Sequence, residues 1–127
     1  MESAATYRSG ALEVDVARRR VSRGAHDVHL TPKAFDLLVL LVQQAPRVLP
    51  KREIHERIWP DTFVSDATLV ALVKELRRAL HDRDRRAPLI RTVHSVGYAF
   101  AAHVDRPGRP TLQAITASHW QIGRAHV

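Results

Sequence analysis

Cysteine is absent from all 127 residues, which removes disulfides, thiolate nucleophiles and cysteine-containing zinc sites together. Glycine is scarce. The five glycines stand at positions 10, 24, 97, 108 and 123, never close enough to build a phosphate-cradling loop. No Gly-x-Ser-x-Gly elbow occurs, and no Ser, His and Asp set carries a pocket signature. Long apolar runs are missing too: the longest, Leu37 to Val42, is far too short to cross a bilayer. Glu2 and the lack of an apolar stretch before Tyr7 argue against a secretory signal. The eight histidines and the carboxylates are scattered. His26 and His29 have a spacing that suits a metal on a helix, but they fall in a turn-and-strand region with no third ligand nearby. The expectation is a soluble, cytoplasmic, non-enzymatic domain with no metal and no cofactor.

What is present is positive charge on a foldable chain. Hydrophobic residues make up 45% and charged residues 26%, enough apolar content for one packed domain. Lys and Arg outnumber Asp and Glu by 20 to 13, a net charge of +7, and 17 of the cations are arginine. Such a balance points to a polyanionic partner, nucleic acid ahead of acidic lipid.

The hydrophobic pattern divides the chain into a sheet, three helices and a hairpin. Leu12, Val14 and Val16 alternate with Glu13 and Asp15, the pattern of a half-buried strand. A further strand centres on Val21, and Val28 and Leu30 follow the turn at Gly24, giving three or four short antiparallel strands. Arg18, Arg19 and Arg20 suit a solvated strand edge, where cations discourage edge pairing. The first helix has Thr31 as cap, Pro32 at its first position and Leu30 placed to staple onto Phe35. Phe35, Leu38, Leu41 and Val42, flanked by Leu37 and Leu40, require burial on most sides until about Gln44. A second helix runs from about Lys51 to Trp59, with Ile54 and Ile58 inward, Trp59 beside them, and Pro60 as its stop.

The third helix starts after Ser65 and Asp66 and runs to about Leu80. Steps of about 100° per residue gather Leu69, Val73, Leu76 and Leu80 into one arc. Ala67, Lys74 and Arg78 fall opposite, with Ala71 and Glu75 beside them. Leu89 to Val93 and Tyr98 to Phe100 then read as a β-hairpin, with Gly97 in or beside its turn. Residues 74 to 94 hold seven cations against three acids, so +4 of the total charge sits around this helix and hairpin. A solvated helix face with a charged loop would account for the charges alone. A helix that packs by one stripe and offers small and cationic residues on the other also meets the requirement for entering a DNA major groove.

Four segments carry a family resemblance: Leu30-Thr-Pro-Lys-Ala-Phe-Asp-Leu-Leu38, Trp59-Pro-Asp-Thr-Phe-Val-Ser-Asp66, Glu75-Leu-Arg-Arg-Ala-Leu80 and Ile90-Arg-Thr-Val-His-Ser-Val-Gly-Tyr98. In this order the chain resembles the winged-helix DNA-binding domain of OmpR/PhoB-type transcriptional regulators, a bacterial phosphorelay signal-transduction family, over about residues 7 to 103. The resemblance implies an α+β winged helix-turn-helix: an N-terminal four-stranded sheet, a three-helix bundle and a C-terminal hairpin wing. It implies sequence-specific binding of double-stranded DNA, with residues 66–80 in the major groove and residues 89–101 in the minor groove. By position, Thr68, Lys74, Arg77 and Arg78 on the helix, Thr92, His94 and Ser95 on the wing, and Thr31 and Lys33 at the start of the first helix become candidate DNA contacts. The loop 59–65 corresponds to a segment that contacts RNA polymerase in some members. The sequence departs from the family pattern at Ala67 and Glu75, where many relatives carry Arg, and at His94, where Arg often enters the minor groove. Pro50 replaces a capping Ser, a loss of about 1 kcal/mol for the second helix.

The expected domain is residues 1–104, with no room before Thr31 for a receiver domain. Residues 105–121, rich in Pro and Gly at their start, read as a linker toward a further C-terminal domain. The form of the 59–66 segment resembles regulators that place the winged helix first and a sensor, sometimes membrane-attached, afterwards. Residues 122–127, Ile-Gly-Arg-Ala-His-Val, back-translate to a string resembling a common sequencing adapter and are set aside. One module offers a small interface, so a homodimer on repeated half-sites is expected. The rival reading is a winged helix that uses the same faces to hold a protein without affinity for DNA.

Overall fold

The computed structural model describes residues 6–83 and 86–107. Four antiparallel strands come first, β1 (Thr6–Ser9), β2 (Leu12–Asp15), β3 (Arg20–Arg23) and β4 (His26–Val28), joined in the order β1-β2-β3-β4. The pattern of two residues puts Leu12, Val14 and Val21 in the core, and the register pairs Val14 with Val21 and Val21 with Val28. The sequence expectation fails at Val16. The strand ends at Asp15, and Val16 sits half-buried in a turn where its carbonyl accepts the Arg19 N–H at 3.3 Å. The arginines of this turn and of the start of β3 pair with carboxylates: Arg18 with Asp15 at 3.4 Å, Arg19 with Asp36 at 3.2 Å and Arg20 with Asp27 at 3.7 Å.

Helix α1 (Pro32–Gln44) follows, with Thr31 Oγ1 accepting from the Ala34 N–H at 3.4 Å. Ala34, Phe35, Leu37, Leu38, Leu40, Leu41 and Val42 are all buried, so α1 is the central post of the domain. Leu30 is half-buried against the same core. A two-residue strand, β5 (Leu49–Pro50), leads directly into α2 (Lys51–Ile58), and α3 (Asp66–Ala79) begins at a Ser65 cap that accepts from the Thr68 N–H at 3.4 Å. Ile54 and Ile58 are buried and Trp59 is half-buried. On α3 the expected stripe Leu69, Val73, Leu76 and Leu80 is buried, and Leu72 joins it.

The chain closes with β6 (Ile90–Val93) and β7 (Gly97–Phe100), which form a second sheet in the order β5-β7-β6. The short β5 had no visible signal, because two residues cannot display a period. Its pairing explains Gly97: a Cβ there would lie 1.8 Å from the Leu49 carbonyl oxygen, so only glycine allows the approach. Gly97 is therefore the first residue of β7, while Ser95 takes the left-handed turn conformation with φ 65°. After the wing, Asp105 exchanges backbone hydrogen bonds with Arg8 at 3.1 and 2.7 Å, and the Arg106 guanidinium caps the free carbonyls of Gln43, at 2.9 Å, and Ala45. The expected linker thus starts docked on the domain; its residues 108–121 and the segment 122–127 lie outside the described residues.

Candidate nucleic-acid interface

Burying one stripe of α3 leaves the opposite face in solvent. Ala67, Ala71, Lys74 and Arg78 are exposed there, beside Val70 at 42% exposure. Among the described residues no hydrogen bond or ion pair engages the Lys74 or Arg78 side chains. Two uncommitted cations flanked by small side chains can approach a polyanion closely. Thr68 is exposed at the start of the same face, its hydroxyl 3.3 Å from Ser65 Oγ. Asp66, whose charge would oppose a phosphate near the helix N-terminus, is held from α2 instead: Asp66 Oδ1 lies 3.0 Å from His55 Nε2 and Asp66 Oδ2 lies 3.8 Å from Lys51 Nζ.

Other candidate residues are engaged within the fold. Thr31 Oγ1 donates to Glu75 Oε2 at 2.6 Å. A hydroxyl has one hydrogen, so this bond uses the proton that Thr31 would offer a phosphate. It also turns the Glu75 carboxylate toward α1 rather than leaving it free on the cationic face. Lys33 Nζ donates to the Ile58 carbonyl at 2.6 Å, satisfying a C-terminal carbonyl of α2 and tying α1 to α2. Arg77 is half-buried, and its Nη2 donates to the Ile90 carbonyl at 2.9 Å and to Thr92 Oγ1 at 2.7 Å. Arg77 and Thr92 are therefore brought together, one from α3 and the other from β6.

The wing presents Thr92, His94, Ser95 and Val96 to solvent. Its turn is anchored where α2 begins, because the Val96 carbonyl accepts the Lys51 N–H at 3.0 Å. That bond satisfies a helix N-terminal donor at the end where Pro50 offers no side-chain cap. Sequence reasoning missed Asp82, which follows α3 and accepts from the Leu89 and Ile90 N–H groups at 2.8 and 2.9 Å. An Asp just beyond a helix end was the visible signal, but its partners lie seven and eight residues away. Lys74 and Arg78 thus stand free on α3, Thr68 is exposed but bonded to the Ser65 cap, His94 and Ser95 stand on the wing tip, and Thr31, Lys33, Arg77 and Thr92 hold elements together.

Beside this surface, an open groove of about 1100 Å³ lies between the start of α2, the loop 59–65 and Val96. Phe63 at its lip is 99% exposed. Among the described residues no group of three or more His, Asp or Glu is placed to hold a metal ion, and no helix is long and apolar enough to cross a membrane.

Comparison with known proteins bears on this surface. A family profile described as "Transcriptional regulatory protein, C terminal" matches residues 25–100. The chain is 37% identical over 87 residues to the transcriptional regulatory protein PcoR of Escherichia coli, covering 68% of this chain and 38% of that protein. It is 34% identical over 87 residues to the E. coli transcriptional regulatory protein CusR, with the same coverage of 68% and 38%. The chain thus spans less than half the length of these curated relatives. Among solved structures, the Klebsiella pneumoniae RstA DNA-binding domain in complex with the RstA box superimposes with a TM-score of 0.68 at 28% identity, covering 77% of this chain and 98% of that one. The DNA-binding domain of E. coli CadC gives a TM-score of 0.71 at 29% identity, covering 80% and 96%.

Proposed function

The chain belongs to the OmpR/PhoB-type winged-helix family of transcriptional regulators, and from that premise we propose that it binds double-stranded DNA in a sequence-specific manner. Helix α3 enters the major groove and the β6–β7 wing reaches the neighbouring minor groove. The observation that carries this reading is the exposed, unpaired state of Lys74 and Arg78 directly opposite the buried stripe of α3. Phosphate contacts supply most of the affinity, and base contacts from α3 and the wing supply the discrimination. A single module of this kind covers about 600–1,000 Å² of its own surface, so two copies on repeated half-sites are needed for tight binding.

A second reading is favoured at one place. Phe63 exposes a whole aromatic ring beside the open groove, as a protein contact would require. We assign loop 59–65 to a protein partner, RNA polymerase by the family resemblance, acting with the DNA interface rather than in place of it.

The test is selection from a random duplex pool followed by titration. Lys74→Ala and Arg78→Ala should each weaken binding about 5- to 20-fold, as expected for lost charge-assisted contacts, and shift the thermal midpoint by no more than a few degrees. Equal loss of folding and binding would place these side chains in the core. A complex with protein that ignores salt, without any affinity for DNA, would establish the rival winged helix.

A further inference from the structure

The wing can read bases only if its angle to α3 is fixed, since both must meet DNA at once. Strand β5 and the Lys51–Val96 bond hold the hairpin on the β7 side, while β6 is the outer strand of that sheet. Two side chains hold β6 from the end of α3. Asp82, just past the helix, spans two consecutive amides of the incoming strand: its Oδ1 accepts from Leu89 N–H at 2.8 Å and its Oδ2 from Ile90 N–H at 2.9 Å. One turn earlier, both hydrogens of Arg77 Nη2 are committed to β6, at 2.9 Å to the Ile90 carbonyl and 2.7 Å to Thr92 Oγ1. Both backbone polar groups of Ile90 are therefore held, its N–H by a carboxylate and its carbonyl by a guanidinium. All four bonds involve an ionised partner, the stronger class of hydrogen bond. The Ile90 side chain itself is buried, which makes this residue the fixed pivot of the hairpin.

We propose that Asp82 and Arg77 form a latch that sets the wing against α3, and that Asp82 is a positioning residue for minor-groove contact although it touches no DNA. Arg77 acts through β6 rather than by reaching bases. The contact of the wing with DNA rests on the function proposed above; the latch itself rests on the hydrogen bonds alone. Asp82→Asn keeps the shape but replaces one acceptor oxygen by an NH2 group, which cannot accept from the second amide. Arg77→Lys keeps the charge but loses the planar fork.

The experiment uses the full chain with both variants and two readouts. Amide hydrogen exchange, followed by NMR, reads the latch without DNA. Exchange at Leu89 and Ile90 should accelerate about tenfold in Asp82→Asn, while Leu38 and Leu41 in α1 keep their protection. Dimethyl sulfate footprinting on the duplex selected by the wild type then reads both grooves together, guanine N7 in the major groove and adenine N3 in the minor. Protection of adenine N3 should be lost in both variants while guanine N7 protection persists at saturating protein. Unchanged exchange at Leu89 and Ile90, or equal loss of protection in both grooves, would overturn the latch. If the wild type selects no duplex, the DNA-binding function falls, and the exchange rates still decide whether the latch exists.

Discussion

Single side chains in this domain divide by whether their polar atoms are already committed. Lys74 and Arg78 are uncommitted and face outward, while Lys33 and Arg77, carrying the same charge, are bound to backbone carbonyls. The sequence displays four cations around one helix-turn-helix and cannot distinguish these pairs, because the acceptors come from Ile58 and Ile90, brought in by tertiary packing. Glu75 shows the same limit. It falls beside the cationic face by helical periodicity, yet its carboxylate meets Thr31, 44 residues earlier in the chain. Gly97 makes the sharpest prediction at this scale. Gly97→Ala drives a Cβ into the backbone of β5 and should cost about 3 kcal/mol or more, visible as a lowered denaturation midpoint with the slope retained. Alanine tolerated there without loss would mean that β5 does not pair with β7.

The Arg47–Glu53 pair carries a pH dependence. Arg47 donates to both Glu53 oxygens, at 3.2 and 2.6 Å. The hydrogen bond from Arg47, with the attraction of its charge and that of Arg57, holds the Glu53 carboxyl below its ordinary 4.5. A lowered carboxyl pKa stabilises the fold above the ordinary value and loses that contribution as pH falls through the folded value. Glu53→Gln should therefore be slightly less stable than the wild type at neutral pH. The difference should shrink on acidification below about 4.5. Chemical denaturation across pH 2–7 checks it; a gap that widens in acid would contradict the assigned direction.

Elements were legible in proportion to their length. The buried faces of α1 and α3 repeat over three or more turns, and both were readable, α1 with its Thr31 cap; the start of α3 was expected after Ser65 and Asp66, and it lies one residue earlier, with Ser65 as the cap. The core stripe of α3 has a direct consequence: Leu76→Ala should remove about 2–5 kcal/mol of stability, since Leu76 is fully buried, and should weaken DNA binding only as far as the folded fraction falls. A neutral result in urea denaturation would show the helix rotated from this register. Short elements were not legible. β5 has two residues and no period, and β2 stops one residue before its alternating pattern does, because the chain must turn back toward β3 at Val16. The wing was readable as a hairpin, but its attachment was not: the Lys51 N–H, Asp82 and Arg77 that hold it belong to other elements.

Across the whole molecule, α1 is the post against which α2, α3 and β7 pack, and the outer face of α3 and the wing tip are left in solvent. The excess positive charge of the chain is concentrated in the segment that builds that surface. Arg106 and Asp105 return the chain to α1 and β1, so the end of the described fold is tied down away from the wing tip. Fold class was legible in the sequence, and so was the exposed cationic face of α3 that the proposed interface uses; which cations stay uncommitted there was decided by the packing.

The proposed binding of DNA by the outer face of α3 and the wing rests on phosphate contacts. Its most direct test is a titration of the full chain against mixed-sequence duplex at several salt concentrations. Log affinity should fall with log salt at a slope of about −3 to −6, corresponding to roughly three to seven neutralised phosphates. A folded sample that shows no binding even at low salt would contradict it, and would turn the outer face of α3 toward a protein.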